Sequence, residues 1–186
     1  MGKEIVVIRD IPRYDTSLIT QVIREGLAEF GLTESHHSRN TIKPNTVMAH
    51  HKVTPSAFTR PEFLDGLIQA LQKEGTSAPK ITVAEKCGAG IRTSRMFRRA
   101  GYLKLKKRHG IRLLPIEEAK KIKIPLQRGK IHRQITTSRE IVDNDLLIYA
   151  PKLKSNSLAH GLTAAVKLNV GILCDREEDV EPQPSA

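Results

Sequence analysis

The sequence predicts an α/β fold: a single domain built on a mostly parallel sheet of about five strands, with helices on both faces. Short apolar runs, which are typical of buried strands, alternate along the chain with amphipathic stretches of helical period. Glycine or proline separates most of these segments. The 186 residues suit one hydrophobic core, and no internal repeat or long linker divides them, so we place the domain at residues 1–174.

The first part of the chain predicts strand, helix and strand. An apolar run over residues 3–9 predicts a strand. Residues 16–30 carry apolar side chains at a spacing near 3.6, which predicts a helix that Gly31 ends. Residues 41–48 then predict a second strand around the tripeptide Lys43-Pro44-Asn45.

The middle of the chain predicts two further helices around a third strand. Pro61 is favourable in the first turn of a helix, which continues to Gly75. Residues 81–84 predict a strand. A short basic helix follows over residues 93–100, between a tight glycine turn at 88–90 and a stop at Gly101.

The last part predicts the remaining strands and an acidic tail. Residues 111–116 and 145–150 predict the fourth and fifth main strands. Between them, residues 117–140 fit an additional β-ribbon. Residues 160–174 fit either a helix or a strand, and residues 175–186 form an acidic segment that we expect to be disordered.

Composition limits the cofactor and the compartment. Glu4 and Arg9 flank the first apolar run, which does not match a secretory signal, and no apolar run approaches the roughly 20 residues that span a bilayer. We therefore expect a cytoplasmic protein that does not engage membranes. Cys87 and Cys174 alone cannot build a disulfide framework or hold an iron–sulphur cluster. The histidines show no metal-ligand spacing, so no metal site is predicted and no cofactor is indicated.

A lysine-rich stretch, Pro151–Gly171, predicts the binding site. It follows a buried strand, and ligands of open α/β sheets bind beyond the carboxyl ends of the strands. Ammonium groups there suit a small carboxylate or phosphate. The candidate ligand-binding residues are Lys43, Asn45, Lys152, Ser155, Thr163, Asn169 and Gly171. Lys154, Lys167 and His160 are the candidates for proton transfer, as in racemisation or isomerisation next to a carboxylate. Whether the protein is an enzyme stays open.

A basic segment supports two other interpretations. The net charge is +11, and about half of the 31 lysines and arginines lie between Lys86 and Arg133. Such density is typical of nucleic-acid binding, of docking to an acidic or iron–sulphur protein partner, or of a solvated surface. Arg92, Arg95 and Arg99 fall on one helix face. The nucleic-acid interpretation uses Arg92, Arg95, Arg99, Lys104, Lys106, Lys107 and Arg108.

The order of these motifs resembles the family called domain of unknown function 362. The resemblance rests on Lys43-Pro44-Asn45, Gly101-Tyr102, Pro151-Lys152-Leu153-Lys154 after a strand that Asp145 opens, and then Thr163, Lys167, Asn169 and Gly171. It covers roughly residues 3–174. The family tends to have Thr-His where this chain has Ser155-Asn156, and Lys-Asn where Leu168 here separates the two residues.

This resemblance implies more than the residues alone. Family members often carry iron–sulphur modules, so it implies an iron–sulphur-associated protein. Their fold is distantly similar to the amino-terminal domain of nickel-dependent lactate racemase. Isomerase-like chemistry at the lysine-rich stretch is therefore an expectation.

Overall fold

The computed structural model describes residues 5–32, 38–72, 80–88, 90–156, 161–163 and 166–174. The helices are α1 (Thr16–Glu29), α2 (Pro61–Leu71), α3 (Thr93–Arg99), α4 (Tyr102–His109) and α5 (Arg139–Val142). The strands are β1 (Arg39–Pro44), β2 (Lys80–Glu85), β3 (Arg112–Pro115), β4 (Lys121–Pro125), β5 (Gln134–Ser138), β6 (Leu146–Ala150), β7 (Lys154–Asn156) and β8 (Gly161–Thr163). Short 3₁₀ segments cover Ile116–Glu118 and Val166–Ile172.

Over the described residues the main sheet has four strands in the order β3-β2-β1-β6, all parallel. Strands β4 and β5 pair as an antiparallel ribbon, as do β7 and β8. The predicted single α/β domain with a mostly parallel sheet is confirmed, and so is the additional ribbon within residues 117–140.

The predicted strand over residues 3–9 is wrong for its described part. Residues 5–9 form no strand, and Val6 and Ile8 are 80% and 83% exposed. An apolar run becomes a strand only when a neighbouring strand supplies a ladder and a packed face. Its described residues pair with neither edge strand, so over the described part of the chain the main sheet has four strands instead of five.

Helix α4 is an element that the sequence did not predict. Gly101 and Gly110, both left-handed with φ of 82° and 67°, bound it at its two ends. Between them only Tyr102 and Leu105 are buried. Three apolar side chains, Tyr102, Leu103 and Leu105, in a strongly basic stretch give too weak a periodic signal to predict a helix.

The two faces of the sheet bury separate hydrophobic clusters. Successive side chains of a strand point to opposite faces, and on β2 Val83 belongs to one cluster while Ala84 belongs to the other. Helices α2, α3 and α4 cover the Val83 face. Ile116, Ile141 and the 3₁₀ segment Val166–Ile172 pack on the Ala84 face. Helix α1 packs against α2.

The carboxyl ends of β1, β2 and β6 meet at one edge of the sheet, because these three strands are parallel neighbours. Pro44, Glu85 and Ala150 are their last residues. The polar segments that follow therefore leave from the same edge, where ligands of such sheets bind. None of the helices in the described ranges is long and apolar enough to cross a membrane.

Candidate functional site

A buried ion pair lies at this edge. The Nζ atom of Lys43 lies 2.8 Å from Oε1 of Glu85, and the two side chains are 3% and 1% exposed. Lys43 also donates to the carbonyl oxygen of Pro44 at 2.8 Å. Burial raises the pKa of Glu85, and the charge of Lys43 acts in the opposite direction. Two neighbouring strands thus hold a cation and an anion in contact away from water.

Backbone amides complete the coordination of the Glu85 carboxylate. The amide of Thr46 donates to Oε2 at 3.2 Å, and the amide of Lys86 donates to Oε1 at 3.1 Å. The 3₁₀ segment closes over the pair at Gly171, whose carbonyl oxygen also accepts a hydrogen bond from the Lys86 amide at 3.0 Å. A Cβ atom at Gly171 would lie 2.3 Å from Glu85 Oε1 and 2.6 Å from Lys43 Nζ. Glycine is therefore the residue that lets this segment approach the pair.

Lys154 is a partly buried cation beside the pair. Its Nζ atom donates to Oδ1 of Asn45 at 2.8 Å and to the carbonyl oxygen of Ala57 at 2.6 Å. An ammonium group has three donors, so one remains. Burial lowers the pKa of Lys154; the charges of Lys167 and Lys43 lower it further, while Glu85 raises it. The three predicted lysines 43, 154 and 167 are thus brought close enough for their charges to interact.

Two asparagines present donors in this region. The carboxamide oxygen of Asn45 accepts from Lys154, and that of Asn169 accepts from the hydroxyl of Tyr149 at 2.6 Å. Among the described contacts, the NH₂ group of each side-chain amide remains available as a hydrogen-bond donor. Such NH₂ groups donate to anions. The hydrogen bond between Tyr149 and Asn169 joins β6 to the 3₁₀ segment on one side of the site.

Thr59 holds the ends of β1 and β6 together. Its hydroxyl donates to the carbonyl oxygen of Ala150 at 2.6 Å and accepts from the Asn45 amide at 2.9 Å. Its carbonyl oxygen accepts from the buried Tyr102 hydroxyl at 2.6 Å. This threonine was not singled out in the sequence, where it is one of many polar loop residues.

The remaining predicted site residues are dispersed. The Nζ atom of Lys152 donates to the hydroxyl of Tyr14 at 3.0 Å and so lies against the segment before α1. Ser155 is exposed on β7, and Thr163 pairs with Lys154 in the β7–β8 ribbon. His160 lies outside the described residues.

Glu85 is the site residue that sequence reasoning missed. The sequence places it directly after the apolar run Ile81–Ala84, at the strand end equivalent to Lys43 on the neighbouring strand. The pairing of β1 with β2 is a tertiary feature, so this carboxylate and this ammonium carry no signal as a pair in the sequence alone.

Cys87 follows Glu85 by two residues. Cys87 is buried, and burial raises the pKa of its thiol, which favours an inert structural side chain over a reactive one. No group of three or more His, Cys, Asp or Glu side chains within the described residues is arranged to hold a metal ion.

The basic segment divides into two parts. Arg92, Arg95 and Arg99 share one surface, as their spacing predicted, and line a cavity there. On α4, Lys104, Lys106 and Lys107 are exposed, while Arg108 forms an ion pair with the buried carboxylate of Asp65 at 2.5 Å. Tyr102, the aromatic residue nearest to them in sequence, is fully buried and is not available for base stacking.

The fold and the site define an α/β domain with a lysine cluster at the carboxyl edge of a parallel sheet. The chain matches the family described as domain of unknown function (DUF362) over residues 41–181 and belongs to that family. The matched range includes all the residues of the lysine cluster. Comparison with curated proteins and with solved structures gave no match.

Proposed function

We propose that the protein binds a small anion, a carboxylate or a phosphate, at the lysine cluster formed by Lys43, Lys154 and Lys167. The observation that carries this proposal is the charge balance at the cluster. The charges of Lys43 and Lys167 both act on Lys154, and Glu85 is the acidic side chain among the described residues whose charge acts on the pKa of Lys154. An anion neutralises the excess positive charge.

The roles of the three lysines differ with their exposure. Lys43 is buried and contributes through its charge. Lys154 has one donor left, and Lys167 is exposed, so these two contact the ligand. Asn45 and Asn169 add NH₂ donors that orient it. Lys152, Ser155, Thr163 and Gly171 complete the proposed ligand-binding set, with Gly171 acting by letting the 3₁₀ segment approach.

Proton transfer is the chemistry that this site favours. The lowered pKa of Lys154 gives a larger neutral fraction near neutral pH than an ordinary lysine has, and a neutral amine is a general base. In the fraction of molecules in which Lys154 is neutral, Lys167 and Asn169 would hold the carboxylate. Lys154 would then remove the proton next to that carboxylate, and Lys167 or His160 would return one. This is isomerase- or racemase-like chemistry, and it needs no iron–sulphur partner.

The test is calorimetric titration with inorganic phosphate and with lactate. We expect binding of at least one of them, weakened on the order of tenfold or more in Lys154→Met and Lys167→Met, because each removes a charge-assisted hydrogen bond. Lys80→Met is the matched control, since Lys80 is exposed at the opposite end of β2. Equal affinities in all these proteins would refute the proposal.

Nucleic-acid binding through α4 is a second candidate. The exposure of Lys104, Lys106 and Lys107 supports it. It requires an affinity for RNA or DNA that falls steeply with salt, because phosphate contacts release counterions. A triple Lys→Ala variant of these positions would abolish that binding and leave the phosphate and lactate titrations unchanged. Docking of an acidic or iron–sulphur protein is a third candidate, and it would use the same exposed charges.

A further inference from the structure

A second candidate site is a cavity that none of the three cluster lysines lines. A cavity of about 620 Å³ lies between the turn that follows β1, at Met48–Thr54, and the segment Gly90–Arg99. Its volume falls in the range of pockets that hold small molecules, roughly 300–1,000 Å³. None of the residues that hold Lys154 or Glu85 through hydrogen bonds lines it.

Three arginines line this cavity, and none of them has a counter-ion among the described residues. Arg95 and Arg99 lie one turn apart on the same face of α3, and Arg92 precedes the helix. All three are exposed, and in the described part of the chain no carboxylate lies within ion-pair distance of them. Guanidinium groups bind phosphate oxygens through paired hydrogen bonds, so the cavity suits a phosphorylated ligand.

His50 adds an imidazole N–H donor to the opposite wall. Its Nδ1 atom accepts from the amides of Val53 at 3.1 Å and Lys52 at 3.3 Å, which places the ring proton on Nε2. The turn is also closed by the Thr54 hydroxyl, which donates to the carbonyl oxygen of Met48 at 2.5 Å. Met48 adopts a left-handed conformation with φ of 61°, which is uncommon for a residue other than glycine. The wall is therefore preformed, which lowers the entropy lost on binding.

The rest of the lining is aliphatic. Met96 is 3% exposed, Ile91 is partly buried, and Met48 and Val53 are 58% and 73% exposed. Methionine is flexible and polarizable, so it adapts to the shape of an apolar group. The cavity thus combines concentrated positive charge with an apolar surface, and its ligand must have both a strongly anionic and an apolar part.

We propose that this cavity binds an organic diphosphate. Three guanidinium groups match the charge of a diphosphate better than that of a single carboxylate, and the aliphatic wall receives the organic group. Nucleoside diphosphates and isoprenoid diphosphates share this chemistry. This cavity shares no lining residue with the lysine cluster. A negative result for one of the two proposed sites therefore leaves the proposal for the other unaffected.

The test is calorimetric titration of the full chain with inorganic pyrophosphate, ADP and geranyl diphosphate. We expect pyrophosphate to bind and one organic diphosphate to bind more tightly, which identifies the organic group. Arg95→Ala/Arg99→Ala should weaken binding on the order of 100-fold, because it removes two charge-assisted contacts. Arg98→Ala, on the same helix but outside the lining, should bind as the wild type does.

Three results would overturn the assignment. The first is no binding of pyrophosphate at millimolar concentration. The second is an equal loss in Arg98→Ala, which would show general attraction to a basic surface. The third is loss of pyrophosphate binding in Lys154→Met with retention in the double arginine variant, which would place the anion at the lysine cluster. Circular dichroism and thermal unfolding of each variant separate lost binding from lost folding.

Discussion

The ammonium group of Lys43 lies 2.8 Å from the carboxylate of Glu85, and each side chain is exposed by 3% or less. A buried pair of this kind is weak support for stability, because removing two charges from water costs about as much as their attraction returns. Its position is more informative. The pair joins the carboxyl ends of two neighbouring strands directly beside Lys154, where it fixes the local charge.

Removing one member of the Lys43–Glu85 pair should destabilise the folded protein. In Lys43→Met the Glu85 carboxylate stays buried without its counter-ion, and we expect the free energy of unfolding to fall by about 3–5 kcal/mol. Urea denaturation measures this change. The exposed pair of Arg139 and Asp143 supplies the control. Arg139→Ala should lower the free energy of unfolding by less than about 1 kcal/mol.

A double variant tests whether the loss comes from the unpaired charge. Lys43→Met/Glu85→Gln removes both charges and keeps an amide oxygen for the backbone donors of Thr46 and Lys86. We expect it to recover most of the stability lost in Lys43→Met. A double variant as unstable as the single one would show that packing, and not charge, is responsible.

Gly171→Ala should destabilise the protein through a steric collision. The added Cβ would meet Glu85 and Lys43 at less than 3 Å, so the 3₁₀ segment must shift, at a cost of about 1–3 kcal/mol. Gly26→Ala is the matched control. Gly26 lies within α1 with no atom within 4 Å of its Cβ position, so alanine there should stabilise by about 0.5–1 kcal/mol. Thermal unfolding of both variants is the measurement.

Anion binding at the lysine cluster should weaken as pH rises. The ammonium form of Lys154 binds the anion, and its pKa in the folded protein is lowered by burial and by Lys167. Affinity is therefore full below that lowered pKa and is lost as pH rises through it, before ordinary lysines titrate. Titrations in buffers of different ionisation enthalpy should also show proton uptake on binding in this range.

The pH effect has its own control. Lys154→Met should remove the proton uptake, whereas Lys80→Met should retain it. An affinity that stays constant over the range where the wild-type protein takes up protons would contradict the role of Lys154.

Loss of the Tyr149 hydroxyl should loosen one side of the site. Tyr149→Phe removes the hydrogen bond to Asn169, and we expect a loss of about 0.5–1.5 kcal/mol in stability, with weaker anion binding. Hydrogen exchange of the amides of Val166–Ile172 measures the effect directly. Exchange no faster than in the wild type would show that other contacts hold the segment.

Much of the fold could be predicted because local signals and tertiary structure agree. Helix α1 has a regular apolar spacing, an Asp15 cap whose side chain accepts from the Leu18 amide, and a left-handed Gly31 after its end. Strand β2 is a short apolar run between polar segments. The run at residues 5–9 looks the same in sequence, but strand formation depends on a partner that only the three-dimensional structure supplies.

The lysines of the site could be predicted from the sequence, whereas Glu85 could not. Lys43, Lys154 and Lys167 stand out in the sequence because they follow strands or lie near Gly171. Glu85 stands out only when β1 and β2 are known to be neighbours, since its partner is distant in sequence. The hydrogen bond that Lys152 donates to Tyr14 likewise depends on packing between segments that are distant in sequence.

Anomalous diffraction from crystals soaked in selenate tests the central claim most directly. Selenate is a tetrahedral oxyanion whose selenium atom can be located without ambiguity. The account predicts a selenate oxygen at charge-assisted hydrogen-bonding distance, about 2.7–2.9 Å, from Lys154 Nζ, with Lys167 as a second contact. No selenate at Lys154, with the arginine-lined cavity occupied in the same crystal, would contradict it.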